Sequence, residues 1–439
     1  MTSTGSNETI ELDIDAVRAQ FPALADPETA GPWPGGWVHL ENAGGSFLPR
    51  QVVDLSSRYL AQWRIQPFAA AGPAKAAGEA MDRARALIPA TFGLHGNGGA
   101  DSDDGDDGAD GDVHIGPSTS QNTYVLAQAI GAGLTPGDEV IVTNQDHEAN
   151  IGAWRRLGDR GITVRQWSVD PETGLLDLAD LEAIVGPRTR LVAVTHASNL
   201  AATVNPIRQV SDLAHTVGAL VVVDGVAWAP HAAIDVADLG CDIYLYSTYK
   251  TYGPHQGLVW TRAGLADRLS NQGHWFNAGS ASARLSPAGP NHAAVAALGG
   301  MIDYYEELYR HHWGPEHTGT TLADRIARVY GLVAGHEERL MTPLLEFLDQ
   351  RGVRVIGSTS TSRADRAPTV AFDPGPVDGA SVVEALADAG IGVGYGDFYA
   401  RRLVEAMGLD GVVRISAVHY NTVEEIERTI AALDRVLAR

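Results

Sequence analysis

From about 113 to 259 the chain alternates short β-branched apolar runs with amphipathic stretches, the pattern of a mostly parallel sheet covered by helices. It predicts strands over 140–143, 163–167, 191–195, 220–224, 243–246 and 257–260, and helices over 120–132, 177–185 and 206–217, the last with Pro206 in its first turn. Beyond about Tyr304 the order changes to a long helical stretch, 322–351, strands near 353–356 and 369–372, a helix over 379–389, a strand over 412–416 and a terminal helix. The expected organisation is an N-terminal segment, 1–35, a large α/β/α domain with a mostly parallel sheet, 36–305, and a smaller α+β C-terminal domain, 306–439.

The longest apolar runs, 219–223 and 191–194, fall far short of the roughly 18–20 residues of a membrane helix, so no membrane association is expected. Residues 1–14 are polar and acidic where an export signal has a basic start and an apolar core, and the expected location is the cytoplasm. A single cysteine, Cys241, excludes an intrachain disulfide and any zinc site needing two thiolates. A formal charge of −22, with 54 acidic against 32 basic residues, argues against a nucleic-acid partner, because a phosphate backbone is held by clustered Lys and Arg. Part of that acidity lies in a Gly/Asp run over 96–112, with seven Asp from Asp101 on, which cannot bury apolar surface and repels itself. It is expected to be a flexible, solvated insertion, 97–112, and it lacks the ligand spacing and closing Glu of a calcium loop, so no metal is assigned.

Neither a Gly-x-Gly-x-x-Gly after the first strand nor a Walker sequence is present, which leaves dinucleotide and nucleoside triphosphate readings without a phosphate loop. Ligands of open α/β sheets sit at the carboxyl ends of strands, and the informative residues lie there. One predicted strand ends in Asp224; another runs into Ser247-Thr248-Tyr249-Lys250. A carboxylate and an amine at neighbouring strand ends suit pyridoxal phosphate chemistry, in which a lysine forms a Schiff base with the aldehyde and a carboxylate keeps the pyridine nitrogen protonated. Taken alone, the two residues favour an ordinary ion pair or a solvated strand-end lysine. Ser118-Thr119-Ser120 leads into a helix and offers hydroxyls and free N–H groups to a phosphate, although an N-cap alone would explain Ser120. His147 follows one predicted strand, where an imidazole can stack on a flat ring, and Asn199 follows another and offers an amide donor.

Five segments in order carry a family resemblance: Glu41-Asn42-Ala43-Gly44, His147-Glu148-Ala149-Asn150, Val223-Asp224-Gly225, Ser247-Thr248-Tyr249-Lys250-Thr251-Tyr252-Gly253-Pro254, and Arg414-Ile415-Ser416-Ala417-Val418-His419-Tyr420-Asn421-Thr422. From about Leu40 onward the chain resembles the fold-type I pyridoxal phosphate enzymes of class V aminotransferase type, which share the aspartate aminotransferase fold, and within them the cysteine desulfurase-like branch. The resemblance implies that Lys250 forms the Schiff base with pyridoxal 5'-phosphate, Asp224 partners the pyridine nitrogen, and His147 stacks on the ring and relays protons. It further implies that Ser120 and Ser247, with Thr119, hold the phosphate, that Asn199 lies near the phenolic oxygen or the substrate carboxylate, and that Arg414 clamps that carboxylate, with Asn42 and Tyr399 on the substrate side.

Two departures shape the expected reaction. Desulfurases carry a nucleophilic cysteine on a mobile loop of the small lobe, and the matching stretch here, 394–400, has Tyr399 in its place. Ala227 stands where related enzymes place a Gln or His against the phenolic oxygen, with Trp228 or Asn199 as candidates to compensate. The expected function is a carbon–sulfur β-elimination lyase acting on an amino acid or cysteine conjugate without persulfide chemistry, with Tyr399 or Tyr395 protonating or gating the departing group. Epimerase and aminotransferase reactions, and a non-catalytic binding protein of the same fold, are the alternatives. The stretch Arg284-Leu285-Ser286-Pro287-Ala288-Gly289-Pro290-Asn291 matches a segment that completes the cofactor pocket of a second subunit in such enzymes, so a homodimer with shared active sites is expected.

Overall fold

The computed structural model describes residues 10–25, 36–95, 111–315 and 320–438. Strands are numbered in chain order: β1 Val38–His39, β2 Asp112–Gly116, β3 Glu139–Thr143, β4 Thr163–Trp167, β5 Thr189–Thr195, β6 Leu220–Asp224, β7 Ile243–Ser247 and β8 Gly257–Thr261, then β9 Arg354–Val355, β10 Thr369–Asp373, β11 Ile391–Gly392, β12 Gly394–Gly396 and β13 Val412–Ser416. The large sheet has seven strands in the order β2-β8-β7-β6-β5-β3-β4. Pairing is parallel from β4 through β7, and only β8 runs against its neighbours.

This sheet is the fold that the apolar runs predict, and its burial explains why they read as unbroken. Successive residues of one strand feed opposite faces: Val221 and Val223 pack with Ile207 and Val210 of the helix Ile207–His215, while Val222 packs with Leu126 and Ile130 of Thr119–Gly131 on the other side. The strands and helices of the sequence reading are present with ends shifted by a residue or two. Pro206, for example, precedes its helix as the N-cap residue rather than sitting in the first turn. The strand of this sheet that the sequence reading did not predict is β2, and it corrects the acidic insertion: Asp112 is not loop but the first strand residue, opposite Thr261 of β8. The rest of that run up to residue 110 lies outside the described residues.

The second sheet is antiparallel, in the order β12-β13-β10-β9, and packs against the C-terminal half of the helix Leu322–Gln350 and against Gly379–Asp388 and Val423–Leu437. Leu322–Gln350 opens with a capping box between Thr321 and Asp324. Its first half, Ala323 to Val333, belongs to the core of the seven-stranded sheet, and Leu340 to Leu348 belong to the core of the smaller one. The helix His292–Trp313 runs unbroken across 305 and 306. At the other end of the chain, β1 pairs in parallel with β11, Leu40 lies in the smaller core and Ser416 N–H donates to Leu40 O at 2.8 Å. The segment before Asn42 is thus bound to the small lobe. Among the described residues no helix is long and apolar enough to cross a membrane, and no three His, Cys, Asp or Glu side chains are grouped to hold a metal ion.

Candidate active site

The parallel strands β3, β5, β6 and β7 release the chain at one edge of the sheet, and the reversal of β8 brings Gly257 and the end of β2 to that edge as well. A cleft of about 440 Å³ opens there, lined by Thr119, Ser120, His147, Asn199, Asp224, Ser247 and Lys250 among others. Seven residues expected on cofactor grounds therefore share one hollow.

Lys250 follows β7 in a short 3-10 turn and is buried. Burial and the positive charge of Arg414 push its amine down to about 8, against the opposing pull of Asp224 and Glu41. Asp224 closes β6; its Oδ1 accepts from Val226 N–H at 2.8 Å, and burial pushes the carboxyl up to about 6. Behind it lies a second buried carboxyl that sequence reasoning missed. Asp146 accepts from Thr143 Oγ1 at 2.6 Å, Thr195 N at 3.2 Å and Asn150 Nδ2 at 2.7 Å, and burial with the charge of Asp224 pushes it up to about 7.

His147 Nδ1 accepts the N–H of Ala149 at 3.1 Å, which fixes the tautomer with the proton on Nε2. Burial, with the charges of Lys250 and Arg414, pushes the imidazole down to about 4, so it is neutral at physiological pH. At the helix Thr119–Gly131 the N-cap is Ser118, which accepts from Gln121 N–H, so Ser120 is not the cap. First-turn N–H groups have no acceptor within a helix, and here they point at the cleft edge with the Thr119 and Ser247 hydroxyls, 2.6 Å apart. Gly257 makes this approach possible, since a Cβ there would come 2.4 Å from Thr119 N. Tyr249, also unanticipated, lines the cleft with its ring stacked on His255 at 4.8 Å and 8°.

Three expectations need correction. Asn42 is buried, with Nδ2 donating to His39 O, Ser416 O and Asn421 Oδ1 and Oδ1 accepting from Tyr420; its polar atoms tie the N-terminal segment to the small lobe, and it is its neighbour Glu41 that pairs with Arg414. Trp228 cannot replace the donor missing at Ala227, because its ring lies 5.2 Å from His196 and borders a separate hollow with His231 and Glu337. Tyr395 packs its ring against Gly379 and Gly411, away from the cleft. Asn199 does line the cleft, but one N–H donates to Phe398 O at 2.9 Å, and its Oδ1 is buried without a partner.

The segment that carries Tyr399 closes over this site. Phe398 and Tyr399 both have left-handed backbones, φ 47° and 61°, a strained choice for two successive residues with bulky side chains. They are held by Asn199 on Phe398 O and by Glu148 N–H on Tyr399 O at 2.7 Å, with a further ion pair from Arg402 to Glu148. The Phe398 ring covers Arg414, whose guanidinium is paired with Glu41.

A model of the family described as aminotransferase class-V matches residues 108–316 and 330–429. An aminotransferase-like protein, FGM3, of Gibberella zeae is 37% identical over 97% of this chain and 99% of its own length. A cysteine desulfurase of Serratia proteamaculans is 29% identical over 97% and 99%. The apo structure of a cysteine desulfurase from Thermococcus onnurineus NA1 superposes with a TM-score of 0.80 over 98% of this chain and 99% of the other, at 21% identity, a likeness of fold.

Proposed function

The chain belongs to the aminotransferase class-V family, whose cofactor is pyridoxal 5'-phosphate, and from that premise we propose that it is a carbon–sulfur β-elimination lyase acting on an amino acid or cysteine conjugate, without a protein persulfide. The cleft fits the cofactor. First-turn N–H groups with the hydroxyls of Thr119, Ser120 and Ser247 suit a phosphate, the Lys250 amine suits an aldehyde, Asp224 suits a pyridinium nitrogen, and the unpartnered Asn199 Oδ1 awaits a donor. When bound, the cofactor supplies the electron sink for the charge left at the substrate Cα.

The remaining steps fall to side chains. Arg414 binds the α-carboxylate and sets the orientation of the Cα–H bond. Lys250 takes the Cα proton; an amine depressed to about 8 is neutral often enough near pH 7 to act as that base. His147, a neutral imidazole with its Nε2–H free to donate, would cover the cofactor ring. Tyr399, largely exposed above His147, is the group placed to protonate or gate the leaving sulfur.

What supports this reading is Tyr399, which the family resemblance sets where desulfurases carry their thiol, together with Cys241, buried before β7 at the end of the strand opposite the cleft. Incubation of the holoenzyme with cysteine and its S-conjugates tests it: pyruvate, ammonia and a released thiol support elimination, whereas a keto acid formed only in the presence of a second amino-group acceptor supports transamination. The same reading includes a homodimer, favoured by the exposed Trp275 and Phe276 and the exposed stretch 287–291 beside them in sequence.

A further inference from the structure

Arg414 is bound in a way that a purely structural ion pair does not explain. Buried Arg–carboxylate pairs are commonly two-pronged, with both carboxylate oxygens engaged. Here Nη2 donates to Glu41 Oε1, Nη1 reaches Asn199 O at a long 3.4 Å, and Nε has no partner. The second oxygen, Glu41 Oε2, is buried and equally without one. A half-satisfied buried pair is costly, since each unmet donor or acceptor has given up its water. The pair adjoins the cleft through Asn199, which lines it and whose backbone O Arg414 reaches, and the charge of Arg414 depresses the Lys250 amine while that of Glu41 raises it. The space around the Glu41 carboxylate is bounded by Gly44 and Gly394, where a Cβ would stand 3.6 Å from Oε1 and 3.3 Å from Cδ, so no side chain crowds it there.

We infer that Glu41 is a positioning and specificity-determining residue, an internal carboxylate that occupies Arg414 in the free enzyme and that the α-carboxylate of an incoming amino acid displaces. The inference rests on the reading of Arg414 as the carboxylate clamp. Phe398 lies over the guanidinium, with Cζ 3.8 Å from the ring centroid, and restricts approach from that face, so the incoming carboxylate competes with Glu41 for the edge of the fork. The consequence is selectivity. A ligand with a free carboxylate can replace Glu41 and leave Arg414 paired, whereas an amine lacking one gains nothing from the exchange. Glu41 also lowers the affinity for every carboxylate ligand by the cost of its own displacement.

The test uses holoenzyme and two non-eliminating probes, L-alanine and ethylamine, titrated against cofactor absorbance. Glu41→Gln keeps the shape but turns a charge-assisted bond into a neutral one of about half the strength, so the alanine Kd should fall about tenfold while the ethylamine Kd stays put. A merely structural Glu41 would give weaker alanine binding or none of this discrimination. An unchanged or raised alanine Kd, or an equal shift for both probes, overturns the inference. Arg414→Gln separates it from the reading beneath it. If that variant loses alanine binding but Glu41→Gln brings no gain, the clamp stands and the inference falls; if it binds alanine as the wild type does, the clamp reading falls and takes the inference with it. Should Glu41→Gln not yield folded holoenzyme, Glu41→Asp, which draws the charge back by one methylene, is read by the same criteria. None of these readouts depends on pyruvate release, so a failure of the elimination assignment is seen separately.

Discussion

The rings of Tyr399 and His147 lie 5.2 Å apart, so a phenol and not a thiol stands against the imidazole that the charge of Lys250 helps to keep neutral. A phenol cannot accept sulfur from carbon as a thiolate does. Holoenzyme given cysteine should therefore accumulate no protein-bound persulfide. Cys241, whose thiol burial pushes far up, is unreactive; Cys241→Ser should keep activity within about twofold, while costing roughly 1–3 kcal/mol of stability for a buried hydroxyl. Persulfide-specific labelling and product analysis check this. Alanine formed at a rate that collapses in Cys241→Ser would refute it.

Lys250→Ala should lower turnover by about a thousandfold or more, the range expected when a catalytic base is deleted. Borohydride treatment should no longer fix the cofactor to the protein, while the phosphate cradle of Thr119, Ser120 and Ser247 still retains it noncovalently. Mass spectrometry after reduction reads the first effect and cofactor content after gel filtration the second. Activity near the wild-type rate would place the base elsewhere.

Asp224→Asn should leave that covalent attachment intact but reduce kcat by about a hundredfold, because a neutral amide no longer holds a charge beside the ring nitrogen. Borohydride fixation combined with steady-state kinetics distinguishes this variant from Lys250→Ala, and a kcat unchanged by the substitution would remove Asp224 from its assigned place.

The pH dependence of cofactor capture follows from Lys250. Its amine is depressed from 10.5 to about 8, so the neutral, nucleophilic form gains ground as pH rises through 8 and is nearly complete by about pH 9. In cofactor-free protein the rate of covalent capture should rise up to that range and level off there. An increase continuing towards pH 10.5 would mean that the lysine is not desolvated.

Sedimentation should give a dimer at micromolar concentration, and Trp275→Ser with Phe276→Ser, both exposed in the single chain at 85% and 66%, should weaken it. The two changes touch no cleft residue of their own chain. A wild-type monomer that keeps cofactor and activity would defeat the dimer.

How much of this was legible depends on how many elements a feature draws on. The run ending in Asp224 is apolar throughout because both faces of β6 are buried, and the position of Lys250 just past β7 follows from the same pattern. β2 escaped notice because it is an edge strand of half-buried residues emerging from an Asp-rich run, with His114 its one buried residue. Asp146 escaped because its three partners come from β3, from the turn at Asn150 and from β5, and no local spacing announces such a meeting. Asn42 was misplaced for a related reason. It sits beside Glu41 in a motif, yet its amide is consumed by His39, Ser416 and Asn421, contacts that only the folded small lobe supplies.

The pairing of β1 with β11 gives the site a division of labour along the chain. Glu41, Arg414 and Phe398 are carried by the elements of the small lobe, since Val38 and His39 pair with Ile391 and Gly392 and Ser416 binds Leu40. Lys250, His147 and Asp224 are carried by the other, on the ends of the seven-stranded sheet. On the proposed assignment, substrate selection and bond-breaking thus ride on separate frames, and Asn199 donating to Phe398 O and Glu148 N–H donating to Tyr399 O are among the bonds that tie the two together.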